Sequence, residues 1–387
     1  MSRTFKTIFV TALLLFGTLG AAFAQDTGVN NISSILDVQK YERAIHIMAM
    51  LLLGFGFLMV FVKRYGRSAL TATVLVVSVS LPLYYLLSGY NIMGGEKGEI
   101  EKLILAEFAA ASLLIAAGAV LGRLKMYQYI ILALLFIPAY KLNEWIVIND
   151  CFHILNHNVA DTGGSIVIHA FGALFGIGAS LSLTRKNEID APVESDATSD
   201  RYSMLGSLVL WLFWPSFCAA LVPVEAIPHT VINVFFALCG STLATYLLSV
   251  AIRGKISIAD IANAALAGGV AIGSTCDKAG HGSAIIIGIL AGAISTVGFA
   301  LVSERQKKLL KAVDTCGVTN LHGMPGIFGG LAAIPIVHGL DAGNQLGGIL
   351  ITVLISIICG VITGKLISFM GKRKEVYVDA EEFVEGD

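Results

Sequence analysis

The chain has 387 residues, of which 56% are hydrophobic and 14% charged, and its formal net charge is −1; the mean hydropathy is +0.79. Ordinary soluble domains carry roughly 45–50% apolar and 25% charged residues, so this composition excludes a water-soluble globular protein and points to a polytopic membrane protein. A net charge so close to zero provides no overall field for nucleic acid or another polyanion, so partners have to be read from local sites.

The N-terminus reads as a targeting segment. Arg3 and Lys6 precede an apolar stretch from Ile8 to Leu19, and Ala22-Phe23-Ala24 supplies a small-x-small pattern before Gln25. That order predicts a signal peptide over 1–24, cleaved after Ala24. The alternative, a retained first helix, has an apolar run short of the ~20 residues that a span requires.

Apolar segments of spanning length follow near 44–62, 68–87, 103–121, 127–149, 162–183, 202–222, 229–252, 258–276, 282–303, 318–338 and 345–368. This predicts an all-α polytopic membrane protein of eleven transmembrane helices. The eighth segment is the weakest, because Asp260 and Asn263 interrupt it. Starting outside, the connections after odd-numbered spans hold Lys63, Arg64, Arg67, Arg123, Lys125, Arg185, Lys186, Arg201, Arg253, Lys255, Arg305, Lys307, Lys308 and Lys311, and the tail adds Lys372, Arg373 and Lys374. Opposite loops hold Lys97, Lys102 and Lys278, with Lys40 and Arg43 near the mature N-terminus. The positive-inside rule therefore places the N-terminus outside and the C-terminus in the cytoplasm of a cell (inner) membrane protein.

The hydrophilic stretch 184–200 contains acidic residues, a proline and several Ser/Thr, and reads as a flexible cytoplasmic linker. It divides the membrane domain, 25–370, into repeat one (about 40–183), the linker (184–201), repeat two (about 202–338) and a last long helix (345–370), ahead of a cytoplasmic tail, 371–387. Five spans is an odd number, so the second copy enters the membrane from the opposite side. This inverted five-plus-five repeat is the topology of many transport proteins, with sites near the midplane between the halves.

Two stretches share one pattern across that repeat. Asp161-Thr162 with Gly164, His169 and Gly176 is matched by Asp314-Thr315 with Gly317, His322 and Gly329. Each places a carboxylate eight residues ahead of an imidazole in an otherwise apolar segment, and polar groups in hydrocarbon are functional candidates by default. Eight residues at ~1.5 Å rise carry each histidine about 12 Å inward, so from opposite faces of a ~30 Å core both imidazoles arrive near the middle. Each aspartate reads as an N-terminal cap, with direct contact to a solute as the alternative. The six cysteines are scattered, without a CxxC pair or Cys/His metal spacing, and read as small buried residues. No metal, cofactor or catalytic set is expected: an intramembrane metalloenzyme built on His169, His322 and an aspartate lacks a third ligand at fitting spacing. His153, His157, His229, His281 and His338 read as interfacial residues of the outer face, or as a pH-sensitive vestibule.

The segments DTGGSIVIHAFGALFGIG, DTCGVTNLHGMPGIFGG, LFWPSF, AEFAAASLLIAAGAVLGR and IANAALAGGVAIG together resemble the Rh branch of the ammonium transporter/Rh (Amt/Mep/Rh) superfamily, over about 40–370. The resemblance implies a homotrimer with a pore in each subunit, carrying ammonia, ammonium or methylamine, with carbon dioxide also proposed for Rh members. By the same resemblance His169 and His322 are the twin pore-lining histidines, and Phe108 and Phe217 are the stacked pair gating the outer mouth. Asp161 corresponds to the structurally important acidic residue of the outer recruitment site, and Asp314 to its partner in the second repeat. One departure concerns the outer site. The Amt branch usually has a tryptophan where this chain has Asn149, with Trp145 one turn earlier, so cation–π recruitment is expected to be weaker; Glu144 either compensates or serves helix capping or packing. A proton-coupled secondary transporter of a small solute shares the inverted repeats but needs a larger midplane cavity.

Overall fold

The computed structural model describes residues 31–90, 92–93 and 97–384, with side chains from Ile35 onward; the expected signal segment, 1–24, lies outside the described residues. The short leading unit, Met1–Gln39, is described only where it starts the helix Asn31–Ala49, and the remaining helices belong to the unit Lys40–Asp387.

Among the described residues eleven helices stand where the hydropathy placed spans. They are α1 (Ile35–Phe61), α2 (Gly66–Gly89), α3 (Glu99–Ala119), α4 (Met126–Val147), α5 (Ser165–Leu183), α6 (Ala197–Cys218), α7 (Val224–Arg253), α8 (Ile258–Ile272), α9 (His281–Leu310), α10 (residues 319–336) and α11 (Ala342–Phe369). Eight of these are long and apolar enough to cross a membrane by themselves. The exceptions are α6, α8 and α10. The eighth is short for a physical reason: after Asn263 the helix tightens into a 3-10 turn over Ala264–Leu266, and the chain leaves the helix at Gly273. Asp260 is buried there, accepting hydrogen bonds from the Arg253 guanidinium (2.8 and 3.0 Å) and the Ser249 hydroxyl (2.8 Å).

The packing repeats in inverted order. α2 lies against α3 and α4 as α7 lies against α8 and α9, α3 leans on α5 as α8 leans on α10, and α1 packs on α6. The supernumerary α11 lies along α5 and α4. Connections fall on two opposite ends. At one end Lys63 N–H donates to the Glu194 carbonyl (2.8 Å), Val313 N–H to Thr184 Oγ1 (3.1 Å) and Asp379 N–H to the Arg64 carbonyl (2.8 Å). At the other, Asp341 N–H donates to Asn158 Oδ1 (2.7 Å) and the Thr162 hydroxyl to Asp277 Oδ1 (2.9 Å). The basic connections thus share an end with the tail.

The linker is tethered where looseness was expected. Glu188 is buried and ion-paired with Arg185, with Arg123 Nε 3.9 Å away. α6 starts within the linker, at Ala197, because Asp196 accepts the N–H groups of Thr198 (3.0 Å) and Ser199 (2.9 Å) while Ser199 Oγ accepts Asp196 N–H (2.9 Å). This reciprocal cap satisfies the orphan donors of the first turn.

The tail folds back as a strap. Asp379 accepts the N–H groups of Arg67 (3.1 Å) and Ser68 (2.8 Å) at the start of α2, and Glu382 accepts Met126 N–H (3.0 Å) at the start of α4. Arg373 is almost fully buried over the Tyr65 ring (5.3 Å), with Glu381 and Glu382 within 3.4 and 3.7 Å. Tyr377 packs on Gly122, whose positive φ of 83° and lack of a Cβ leave room for the ring. The Tyr377 hydroxyl accepts from Arg123 (2.7 Å), which also donates to Thr315 (2.6 Å), the neighbour of Asp314. Removing the buried guanidinium strands its carboxylate and carbonyl partners. Arg373→Ala is therefore expected to cost about 3 kcal/mol and to expose the tail to protease; an unchanged melt in detergent with an uncut tail would show that another contact holds the strap.

Candidate functional site

Each half of the site is built by the same local device. A glycine in the left-handed region, Gly164 (φ 75°) or Gly317 (φ 64°), turns the chain so that the preceding aspartate looks back along the new helix. A Cβ at either position would collide with Ile168 or Phe299, and the left-handed conformation itself disfavours any other residue. Asp161 then accepts Ile166 N–H (3.0 Å) and Val167 N–H (2.8 Å), plus the Ser274 hydroxyl (2.7 Å). Asp314 accepts Val318 N–H (2.9 Å), Thr319 N–H (2.9 Å) and the Thr319 hydroxyl (2.7 Å). These bonds satisfy helix-start donors that have no partner within the helix, which is the capping arrangement expected from the sequence.

The turns are braced symmetrically by the third helix of the opposite repeat. Gly163 N–H donates to the carbonyl of Gly273, just beyond α8 (2.7 Å), whereas Thr315 and Cys316 N–H donate to the carbonyls of Ala119 and Gly118 at the end of α3 (3.1 and 3.2 Å). Both histidines then fall in a π-helical turn, Ser165–Ala170 in α5 and Thr319–Gly323 in α10. Such turns are rare and recur at functional sites; nothing in the residue pattern announced them.

His169 and His322 meet in the interior. Their Nδ1 atoms lie 3.2 Å apart, and the rings are nearly parallel (10°) with centroids 5.2 Å apart, so they touch edge to edge. Both are buried, at 2% and 3% exposure, and His169 Nε2 has no hydrogen-bond partner among the described residues. Between neutral imidazoles one Nδ1 must donate and the other accept. The outward Nε2 atoms therefore differ, one a bare acceptor and the other an N–H donor.

The surroundings are apolar on both sides of the pair. Phe108 from α3 and Phe217 from α6 contact each other with centroids 4.5 Å apart at 43°, and Phe217 lies 6.2 Å from His169. Beyond His322 a slender cavity of about 20 Å³ runs between Phe55, Leu114, Ile115, Val318 and Leu321. That is room for about one water-sized molecule, too little for a bulky organic solute. It leads toward a wider basin of about 350 Å³ edged by Asp200, Asn263, Asp314 and Gly317.

The structure thus gathers His169, His322, Phe108 and Phe217 in one apolar column, and places Asp161 and Asp314 at the helix starts that hold it. Glu144 is held by the Tyr84 hydroxyl (2.6 Å) and the Lys141 ammonium (3.0 Å), which supports its packing role. Two further residues join the column. Trp214 stacks on His169 (5.5 Å, 24°) and Phe55 lies 6.2 Å from His322. Trp214 stands three residues before Phe217 in LFWPSF, hence on the same helix face, a usable signal; Phe55 is one phenylalanine among 20 and carries none.

Comparison with known proteins bears on the chain as a whole. The profile of the Ammonium Transporter Family matches residues 5–385. The chain is similar to human Ammonium transporter Rh type B, 38% identical over 317 residues that cover 80% of this chain and 68% of the relative. To bovine Ammonium transporter Rh type A it is 37% identical over 358 residues, 87% of this chain and 81% of that one. The solved structure of Nitrosomonas europaea Rh50, described among the Rhesus protein family of channels, superposes with a TM-score of 0.89 at 54% identity, covering 92% of this chain and 94% of the other.

The caps yield a stability prediction. Asp161→Ala leaves two backbone N–H groups and a hydroxyl unsatisfied, at about 1–3 kcal/mol each before relaxation, so the variant is expected to melt well below wild type. Asp314→Ala should follow it and Ser274→Ala should fall by only about 1 kcal/mol. Thermal denaturation in detergent reads all three, and a wild-type melt for Asp161→Ala would refute the capping role.

Proposed function

The chain belongs to the Ammonium Transporter Family, within its Rh branch, and on that premise we propose that it conducts neutral ammonia through an apolar pore contained in each subunit. The observation that carries the reading is the His169–His322 contact, buried between the Phe108/Phe217 pair and a cavity the size of one small molecule.

The permeant follows from energetics. An ammonium ion entering this column would exchange its hydration shell for aromatic rings and two neutral imidazoles. The idealised cost of taking such an ion into a low-dielectric interior is of order 20 kcal/mol, and several kcal/mol remain after relaxation. Ammonia forfeits only hydrogen bonds, some of which the column returns: it can donate to a bare Nε2 and accept from the other imidazole. Ammonium therefore gathers outside, leaves its proton to the outer water at the Phe108/Phe217 gate, and passes the imidazoles as NH₃ before reprotonation in the inner basin. The aspartates keep to the walls, since the bonds to Asp161 and Asp314 are already used within the fold. With Asn149 and a committed Glu144 at the outer end, the cation is recruited only weakly. Carbon dioxide and methylamine are further permeants that this reading entails testing. The alternative, a proton-coupled secondary transporter of a small solute, needs a larger midplane cavity and is disfavoured by the width of this one.

We further infer a homotrimer in the cell (inner) membrane, with the mature N-terminus outside after removal of 1–24 and the tail in the cytoplasm. The orientation is supported by the basic connections that share an end with the tail.

Stopped-flow recording of internal pH in proteoliposomes tests the pore. The His169→Ala/His322→Ala pair should slow ammonia-driven alkalinisation by about tenfold, equivalent to ~1.4 kcal/mol at the midplane barrier, and carbon dioxide gradients run in parallel assign the second permeant. Fluxes unchanged in both variants would remove the histidines from the path. On a solid-supported membrane an ammonium pulse should evoke no steady translocation current; a current lost in the histidine variants would overturn electroneutral passage.

A further inference from the structure

The connection between α4 and α5 holds a cluster of side chains that the pore does not use. Asp150, His153 and His157 each bring one ligand atom to within 4.8 Å of the others. The two imidazoles meet edge to face, with centroids 5.3 Å apart at 74°. Both are exposed to solution, whereas Asp150 is fully buried beneath them.

The loop is already set in shape. Asp150 Oδ1 accepts the N–H groups of Ile154 (2.9 Å) and Leu155 (3.0 Å), and Oδ2 accepts that of His157 (2.9 Å). All three donate to the carboxyl oxygens, an arrangement that favours the charged carboxylate. A carboxylate has about four lone-pair sites, so with three taken Oδ2 keeps one for a further partner. Asp150, His153, Asn156 and His157 all adopt left-handed backbone, with φ of 44°, 53°, 52° and 50°. Such φ values are uncommon outside glycine, and here the carboxylate's bonds stabilise a loop that projects both imidazoles beside it. The other end is equally fixed: Ala160 N–H donates to Gln345 Oε1 (2.9 Å), and Gln345 Nε2 donates back to the Ala160 carbonyl (3.1 Å).

We propose that Asp150, His153 and His157 form a binding site for a divalent borderline transition metal of the Zn²⁺ type on the outer loop of each subunit. Two imidazole nitrogens and one carboxylate oxygen are the donors such ions take, with an open fourth position for water, whereas Ca²⁺ requires six or more oxygens. Bond lengths of about 2.0–2.2 Å put tetrahedral ligand atoms some 3.3–3.6 Å apart. The cluster reaches that spacing by rotating the two exposed imidazoles, with the buried carboxylate as a fixed anchor. The other paired histidines of this face are differently committed: His229 bonds to Ala279 and Asn233, and His281 to Asn233.

Zn²⁺ alone is the probe, presented to the purified full chain after any polyhistidine tag has been removed. Competition with a chromophoric chelator should show one equivalent per chain, bound at about micromolar Kd. His153→Ala/His157→Ala should weaken it by about 100-fold or more with an unchanged melt, since both imidazoles are exposed and their ring contact is with each other. Millimolar Ca²⁺ should not compete. Absence of uptake below about 100 μM Zn²⁺, equal affinity in the double variant, or displacement by Ca²⁺ would each overturn the site. Should the variant not purify, X-ray absorption on the Zn²⁺-loaded wild type decides: two imidazole nitrogens in the shell support the site, and an oxygen-only shell refutes it. None of these outcomes bears on the pore, which uses none of the three residues.

Discussion

A helix that begins inside a protein must find partners for N–H groups that its own turns cannot satisfy, and the rest of this fold depends on how two aspartates meet that requirement. Asp161 and Asp314 each face a helix start across a left-handed glycine, and each accepts its free N–H groups. The cap fixes the angle at which α5 and α10 enter, and entry angle with register decides where the eighth residue onward lies. The histidine contact at 3.2 Å is therefore downstream of the caps. It also explains why acidic residues tolerate such burial: their bonds are made within the fold, and no solute has to supply them.

The inverted repeat converts one solution into two. Because the halves enter from opposite ends, identical devices carry two imidazoles toward each other and leave apolar surface before and after the pair. In the proposed pore that surface is what selects the permeant, by size and by charge. A cavity with room for about one water-sized molecule is too narrow for larger solutes, and the lack, among the described residues, of a compensating charge beside the histidines makes an ion far more costly there than a neutral molecule. The tail is coupled to the same frame through Arg123, which bonds Tyr377 of the strap and Thr315 beside Asp314.

Most of the architecture was legible because hydrophobic length and loop charge are one-dimensional signals. The eleven spans, the inverted repeat and the meeting of His169 with His322 all follow from counting residues. What escaped depends on neighbours distant in sequence. The π-helical turns around both histidines follow helix starts that α3 and the chain just beyond α8 brace. Phe55 joins the column through tertiary packing: α1 lies on α6, and the Phe55 ring stands 6.2 Å from His322. The linker 184–201 is rich in polar residues and reads as loose, yet Glu188 is buried against arginines from its own loop and from the α3–α4 connection. His153 and His157 read from the sequence only as interfacial residues or a pH-sensitive vestibule, and Asp150 carries no signal there, because the spacing that gathers the three is set by left-handed backbone, which leaves no periodicity to see.

The histidine pair also breaks the symmetry that produces it. Two imidazoles joined Nδ1 to Nδ1 share one proton, so the two halves of the site cannot be in the same tautomer at the same moment. The environment is unequal in the same sense: His169 lies under the Trp214 indole and near the Phe217 ring, whereas His322 faces Phe55 and the slender cavity. Reversing the tautomers requires a proton to leave one Nε2 and another to arrive at the other, and both atoms face an apolar bore. An ammonia molecule is itself donor and acceptor, so the species that needs the column is also one that can satisfy either tautomer. A cation has no acceptor to offer and would meet the Nε2–H donor repulsively. The pair therefore opposes charge by hydrogen-bond polarity as well as by dryness, while remaining neutral throughout.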